Sequence, residues 1–131
     1  MKELVDKLAK IEKDMSAEKG NFLLFALFLR EDAPDLWDLL VAANWVEKDK
    51  AESLKYMANH LSKNLKPNQL IKLSRILFID LDNPGLKAIH KAINVEHGNV
   101  EIKDSNFFGL QIKHAYLITS KRQETPNKGI E

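Results

Sequence analysis

Carboxylates and imidazoles in the last third of the chain could form a small site for acid–base chemistry or for a metal ion. Asp80 and Asp82 follow a short apolar segment, and carboxylates at the end of a strand can hold Mg²⁺, which prefers oxygen ligands. His90, Glu96 and His97 come next, and their side chains can transfer protons or ligate metals. If these five side chains converge in one pocket, the protein is a ligand-binding or metal-binding domain of enzyme type.

Each of these residues also has an ordinary structural interpretation. Asp82, Asn83 and Pro84 suit the turn that begins a helix. His90 flanks the apolar stripe of that helix, as a half-buried histidine at its edge would. No two of the four histidines stand three or four residues apart, which is the spacing that places two ligands on one helix face. We therefore predict no metal ion and no cofactor.

Two residue types limit the chemistry further. The chain has no cysteine, which excludes disulfides, thiolate nucleophiles and cysteine-bound zinc. Its five glycines are isolated from one another, so no glycine-rich loop can approach a phosphate with its backbone amides. Because these patterns contain no complete catalytic constellation, we favour a non-catalytic protein over an enzyme.

Positive charge is concentrated in the middle of the chain. Residues 48–75 carry seven lysines and arginines against two acids, whereas residues 1–47 carry six against ten. Nucleic-acid binding through residues 48–75 is therefore an alternative function. Lysines on a solvated helix face, or pairing of this segment with the acidic first third, explain the same charges without nucleic acid. The candidate anion-binding residues are Lys55, Lys63, Lys66, Lys72 and Arg75.

Phe107 and Phe108 stand in a turn region that otherwise consists of polar residues and glycine. Two adjacent residues of an extended chain point to opposite sides, so one ring can close the core while the other seals a partner surface. Folding of the second ring back over the sheet is the alternative. Together with an expected open sheet edge, the two phenylalanines favour a small interaction or assembly module that binds a second copy or a protein partner. This module is the leading functional hypothesis.

Helical periodicity identifies some of the elements that position these residues. Apolar residues recur at helical spacing in residues 2–15, which predicts an amphipathic helix. An acid and a glutamate three residues apart form a capping pair at the start of a second helix over residues 49–65. A proline begins a short third helix over residues 67–74, and the turn at residues 82–84 begins a fourth.

Extended segments alternate with these helices. Residues 22–30 and 36–45 are predicted to form a β-hairpin, because the second segment alternates with a period of two, which places Asp38 on its outward face. Both segments could instead be helical, since the leucines, alanines and phenylalanines of the first carry no β-branch. Residues 75–80 fit a strand that is buried on both faces, and a second hairpin surrounds residues 107–108.

The predicted fold class is α+β, with the element order α-β-β-α-α-β-α-β-β and helices packed on a small mixed or antiparallel sheet. A mostly α fold with a C-terminal β-hairpin is the alternative. The chain of 131 residues fits one domain, which we place at residues 1–122, followed by a disordered tail at 123–131. The longest apolar run, residues 22–29, is too short for a membrane span, and the N-terminus lacks a secretory signal. We therefore predict a cytoplasmic protein.

Overall fold

The computed structural model describes residues 1–31 and 35–123, and its elements follow the predicted order with one short helix added. The helices are α1 (Lys2–Lys19), α2 (Asn44–Lys48), α3 (Lys50–Asn64), α4 (Pro67–Leu70) and α5 (Pro84–Ala92). The strands are β1 (Leu24–Arg30), β2 (Trp37–Ala42), β3 (Leu73–Phe78), β4 (Val100–Phe107) and β5 (Leu110–Ser120). The α+β class is thereby confirmed. The predicted tail after Gln123 lies outside the described residues, and none of the described helices has the length and apolar character of a membrane span.

The five strands of the described chain form one mixed sheet in the order β3-β2-β1-β5-β4. β1 pairs antiparallel with β2 and with β5, and β4 pairs antiparallel with β5. β3 instead lies parallel to β2, and the chain crosses over between them through α2, α3 and α4. Because β1 and β2 pair as strands, the helical alternative for this part of the chain is wrong.

Helices cover both faces of the sheet, so two cores form. On one face α1 and α3 pack on side chains such as Phe25 and Leu39, and on the other face α5 packs on Phe28 and Leu40. Successive residues of a strand point to opposite faces, and here both directions lead into a core. This arrangement accounts for the unbroken apolar run in β1, which is typical of a strand that is buried on both sides.

The second predicted strand is too long. β2 ends at Ala42, and a helix that the sequence pattern did not predict begins at Asn44. Trp45 continues the alternating pattern of β2, but it lies in this helix, where its indole N–H donates to the Gly20 carbonyl oxygen at 2.9 Å. That hydrogen bond satisfies the indole N–H of a half-buried ring. At this position a tertiary contact therefore determines the secondary structure, against the alternating pattern of the sequence.

Two predictions of burial are also wrong. Residues 75–80 were expected to be buried on both faces, but β3 is an edge strand that pairs with β2 alone among the described strands. Ser74 and Arg75 in β3 are exposed, and its remaining residues are half-buried. Asp38 on β2, predicted to face outward, is only 4% exposed, because both faces of that central strand are covered.

The β4–β5 hairpin directs both phenylalanines toward the second core. Phe108 and Gly109 have φ angles of 56° and 72°, the left-handed values that the two central residues of a type I′ turn require. The left-handed backbone at Phe108 breaks the alternation of an extended chain. The rings of Phe107 and Phe108 therefore both approach Phe28, with centroid distances of 5.8 and 6.2 Å. A Cβ atom at Gly85 would lie 2.7 Å from Cε1 of Phe108, so this glycine makes room for the ring.

Candidate functional site

A cleft of about 560 Å³ opens at the end of the sheet where β1 begins and where β2 and β5 end. Its walls come from the segments next to these three strands, together with the end of α1. The volume lies within the range of small-molecule sites. The side chains that matter most are Lys19, Trp45, Lys48, Glu96, Lys121 and Arg122.

The cleft is positively charged. Lys19, Lys48, Lys121 and Arg122 line it, whereas Glu96 is the one carboxylate among its described lining residues. Glu96 lies 3.8 Å from the Lys121 ammonium group, so this acid and this cation offset each other. No carboxylate of the described residues stands within salt-bridge distance of Lys48 or Arg122. The remaining positive charge gives the recess a potential that attracts anions.

Trp45 forms a fixed aromatic wall between the cleft and a neighbouring recess of about 530 Å³, which we call the Tyr56 depression. The Gly20 carbonyl holds its indole N–H, and its ring lies edge-on to Phe22 and Tyr56 at centroid distances of 5.4 and 5.8 Å. These contacts set the orientation of the ring in advance of any ligand. Lys19 also borders both recesses, so a cation and an aromatic ring stand together at the boundary.

Tyr56 is held in place as a hydrogen-bond donor on α3. Its hydroxyl donates to the Glu18 carboxylate, and the Lys19 ammonium nitrogen lies 4.9 Å from its ring centroid. Burial and, next, the hydrogen bond with Glu18 raise the pKa of the Tyr56 hydroxyl well above its usual range. The same hydrogen bond is the main cause that lowers the pKa of Glu18. The phenol therefore stays neutral at physiological pH and offers a ring rather than an acid–base group.

A buried carboxylate lies beside the cleft. Glu12 of α1 is fully buried and accepts hydrogen bonds from the Thr119 hydroxyl at 2.7 Å and from His97 Nδ1 at 2.5 Å. The His97 backbone N–H donates in turn to the Thr119 hydroxyl oxygen at 3.1 Å. These bonds satisfy a carboxylate that burial would otherwise destabilise, and they join a helix, a loop and a strand. We call Glu12, His97 and Thr119 the Glu12 cluster.

The geometry of the Glu12 cluster fits a positioning role better than proton transfer. A carboxylate can only accept, so His97 Nδ1 carries the donated proton, while Nε2 lies 3.8 Å from Glu96. The Thr119 hydroxyl and the Glu12 carboxylate are both fully buried, so no substrate can reach this hydroxyl as a nucleophile. His97 has a φ angle of 52°, a left-handed conformation that these contacts maintain. The cluster thus fixes the loop that carries Glu96 into the cleft wall.

Two of the five predicted acid–base residues come together at this site. His97 belongs to the Glu12 cluster, and Glu96 lines the cleft. Glu12 is not among the predicted site residues, although it stands seven residues after Val5 on the buried stripe of α1, where an acid is out of place. Within the described residues, no group of three or more histidines and acids could hold a metal ion.

The other three predicted acid–base residues have separate contacts. Asp80 forms an ion pair with Lys50 at 3.3 Å, and Asp82 is exposed in the turn before α5. His90 Nε2 lies 2.8 Å from the Leu23 carbonyl oxygen, and the imidazole is half-buried at the edge of α5. None of these contacts joins the three residues to one another or to the Glu12 cluster.

The predicted anion-binding residues do not line the cleft. Arg75 forms a double hydrogen bond with the buried Asp38, at 3.1 and 3.3 Å, and Lys55 lines the Tyr56 depression. Three of the four cations that do line the cleft lie outside residues 48–75, because the sheet gathers segments that are far apart in the chain. The remaining predicted cations, which are exposed on other parts of the surface, are Lys63, Lys66 and Lys72.

A comparison of the chain with family models, curated proteins and solved structures found no match. The cleft combines Lys48 and Arg122, which form no salt bridge with a carboxylate of the described residues, with an indole ring that its neighbours hold in place. Cations of this kind form charge-assisted hydrogen bonds with phosphate or carboxylate oxygens, and an indole offers a flat apolar surface. The arrangement therefore suits an anion that carries a planar group.

Proposed function

We propose that the protein binds an anionic ligand in the cleft, as a binding module rather than an enzyme. One observation carries the proposal: four cationic side chains line the cleft against one described carboxylate, which is itself paired with Lys121. Cations that are gathered in a recess with low-dielectric walls reinforce one another's field and raise the local concentration of anions. Lys48 and Arg122, which have no described carboxylate beside them, are free to contact the ligand directly.

The groups around the cleft support binding more than chemistry. The Glu12 cluster directs its carboxylate inward, where Thr119 and His97 occupy it. Burial and, next, the Glu18 hydrogen bond raise the pKa of the Tyr56 hydroxyl, so it keeps its proton. A catalytic site needs a base or nucleophile within hydrogen-bond reach of the substrate, and these contacts hold both groups in structural roles.

Titration with adenosine monophosphate, followed by tryptophan fluorescence, tests the proposal. We expect saturable quenching, because Trp45 lines the cleft whereas Trp37 is buried in the core. Lys48→Glu should weaken binding about tenfold, since the reversed charge removes an attraction and adds a repulsion close to the anion. Lys63→Glu, at an exposed position of α3 away from the cleft, is the matched control and should bind like the wild type.

Inorganic pyrophosphate separates the contribution of the anion from that of the ring. Measured by isothermal titration calorimetry, it should bind with one site and compete with adenosine monophosphate, because the cations recognise the phosphate in both probes. The proposal is wrong if neither probe binds, or if Lys48→Glu and Lys63→Glu weaken binding to the same extent.

Self-association is a second candidate function, which the open edges of the sheet favour. Among the described strands, β3 and β4 each have one neighbour, so the outer edge of each presents backbone groups that a second copy could pair. Phe107 and Phe108 are half-buried beside the edge formed by β4, which leaves part of each ring accessible. An assembly through this edge would extend the sheet across two molecules.

Size-exclusion chromatography with light scattering tests the assembly. If the β4 edge is the interface, the wild type should be a dimer and Phe108→Asp a monomer, because aspartate tolerates the left-handed turn but loses the apolar contact. Asn68→Asp places the same charge at an exposed position on α4, away from β4, and should dimerise like the wild type. A wild type that is strictly monomeric at every concentration would rule out this second function.

A further inference from the structure

The cleft is the middle part of a longer groove. On one side it shares Lys121 and Arg122 with a recess of about 400 Å³ that His90 and Lys91 also line, which we call the His90 depression. On the other side the cleft meets the Tyr56 depression at Trp45. Recesses that share lining residues form a continuous path across the end of the sheet. We call the His90 depression, the cleft and the Tyr56 depression together the groove.

Positive charge is concentrated in two of the three recesses that make up the groove. The described lining residues of the His90 depression include three cations and no acid, and those of the cleft include four cations and one acid. In the Tyr56 depression, Lys19 and Lys55 are balanced by Asp49 and Glu52. The potential is therefore most positive from Lys91 to the boundary at Trp45, and it declines where the two aromatic rings stand.

The arrangement of charge and rings matches a chain of phosphates better than a single anion. One small anion fills one recess, and Lys91, which lines the His90 depression but not the cleft, would then have no part in binding. A single strand of nucleic acid carries one negative charge per nucleotide along an extended path, and its bases stack on aromatic side chains with little sequence preference. Trp45 is half-buried, lines two recesses and is held by the Gly20 carbonyl, as a stacking surface needs to be.

We propose that the groove binds single-stranded nucleic acid, with phosphates along Lys91, Arg122 and Lys48 and a base against Trp45. This inference rests on the proposed binding of an anion in the cleft, because the cleft is the central part of the groove. It adds two requirements: the ligand extends beyond the cleft into the His90 depression, and it contributes a base as well as phosphates.

Fluorescence anisotropy with labelled oligothymidylates of about two to about twelve nucleotides tests the extension of the site. We expect affinity to rise with the length of the oligonucleotide until the groove is filled. The logarithm of the binding constant should fall with the logarithm of the salt concentration, with a slope of about 0.7 per phosphate contact. Lys91→Ala should lower that slope by about 0.7 and weaken binding of the longer oligonucleotides. Binding of adenosine monophosphate should not change in this variant, because Lys91 lies outside the cleft. Lys63→Ala is the matched control for loss of an exposed lysine.

Trp45→Leu tests the base contact. Loss of stacking on one base should weaken oligothymidylate binding by about fivefold to 100-fold, and circular dichroism checks that the variant is folded. Inorganic polyphosphate, which has no bases, should bind this variant and the wild type alike. Quenching of tryptophan fluorescence by the oligonucleotide in the wild type gives the same information without a substitution at the core boundary.

The outcomes separate this inference from the proposed function. If adenosine monophosphate binds but affinity does not depend on oligonucleotide length, or Lys91→Ala has no effect, the cleft is an anion site and the extended strand is wrong. If duplex DNA binds more tightly than the single strand, or Trp45→Leu binds oligothymidylate like the wild type, recognition of a single strand is wrong. If neither the mononucleotide, nor pyrophosphate, nor any oligonucleotide binds, both proposals fail.

Discussion

Replacement of Glu12 by alanine should lower the free energy of unfolding by about 3–5 kcal/mol. The substitution removes the acceptor of two hydrogen bonds, from the Thr119 hydroxyl and from His97 Nδ1, and leaves the fully buried Thr119 hydroxyl without this acceptor. It also opens a cavity, because the glutamate side chain is fully buried between α1 and β5. Urea denaturation followed by circular dichroism measures the loss. The thermal midpoint should fall by roughly 10–15 °C in a domain of this size.

Two further variants separate the contributions to this effect. Glu12→Gln keeps the shape and can still accept from Thr119, but its amide NH₂ group faces His97 Nδ1, so we expect a loss of about 1–3 kcal/mol. Glu3→Ala, at an exposed position of the same helix, should change stability by less than about 0.5 kcal/mol. A loss in Glu12→Ala no larger than in Glu3→Ala would show that the Glu12 cluster does not hold these elements together.

Local patterns predicted most elements of the fold because each pattern repeats along its own element. The stripe of α1 and the capping pair of α3 are decided by neighbours three or four residues away, and both helices form as predicted. The Asp49 side chain accepts from the Glu52 backbone N–H at 3.1 Å, as the capping pair requires. The end of β2 was harder to predict, because the Trp45 indole N–H donates a hydrogen bond to the carbonyl of Gly20, which is far from Trp45 in the sequence.

The candidate site was largely beyond sequence analysis because long-range pairing creates it. Glu12 and Thr119 are 107 positions apart, and only the contact of α1 with β5 makes them neighbours. The cations of the cleft stand at the ends of separate elements, whereas the charge pattern along the sequence indicates residues 48–75 instead. Glu96 and His97 were found because their types suit chemistry in any context. Their roles in the structure depend on long-range contacts, which the local sequence pattern does not reveal.

Asp38 and Arg75 show what such a long-range contact contributes to stability. Asp38 is almost fully buried on β2, and the half-exposed Arg75 lies beside it in the parallel register on β3. The guanidinium donates through Nε and Nη2 to the two carboxylate oxygens, at 3.1 and 3.3 Å, which is the fork geometry that lysine cannot reproduce. Because β3 is an edge strand, this pair also attaches it to the rest of the sheet.

Arg75→Met should therefore destabilise the protein by about 2–4 kcal/mol, less than for a fully buried pair because the arginine is half-exposed. Arg75→Met takes two charge-assisted hydrogen bonds from a buried carboxylate, so removing that carboxylate as well, in the double variant Asp38→Leu/Arg75→Met, should recover part of the loss. Lys72→Met, an exposed cation just before β3, is the matched control and should change stability by less than about 0.5 kcal/mol. Urea denaturation gives the energies, and hydrogen exchange should show faster exchange of the β3 amides in Arg75→Met alone. If the double variant is as unstable as Arg75→Met, the guanidinium acts through packing of its alkyl chain and not through the charge of Asp38.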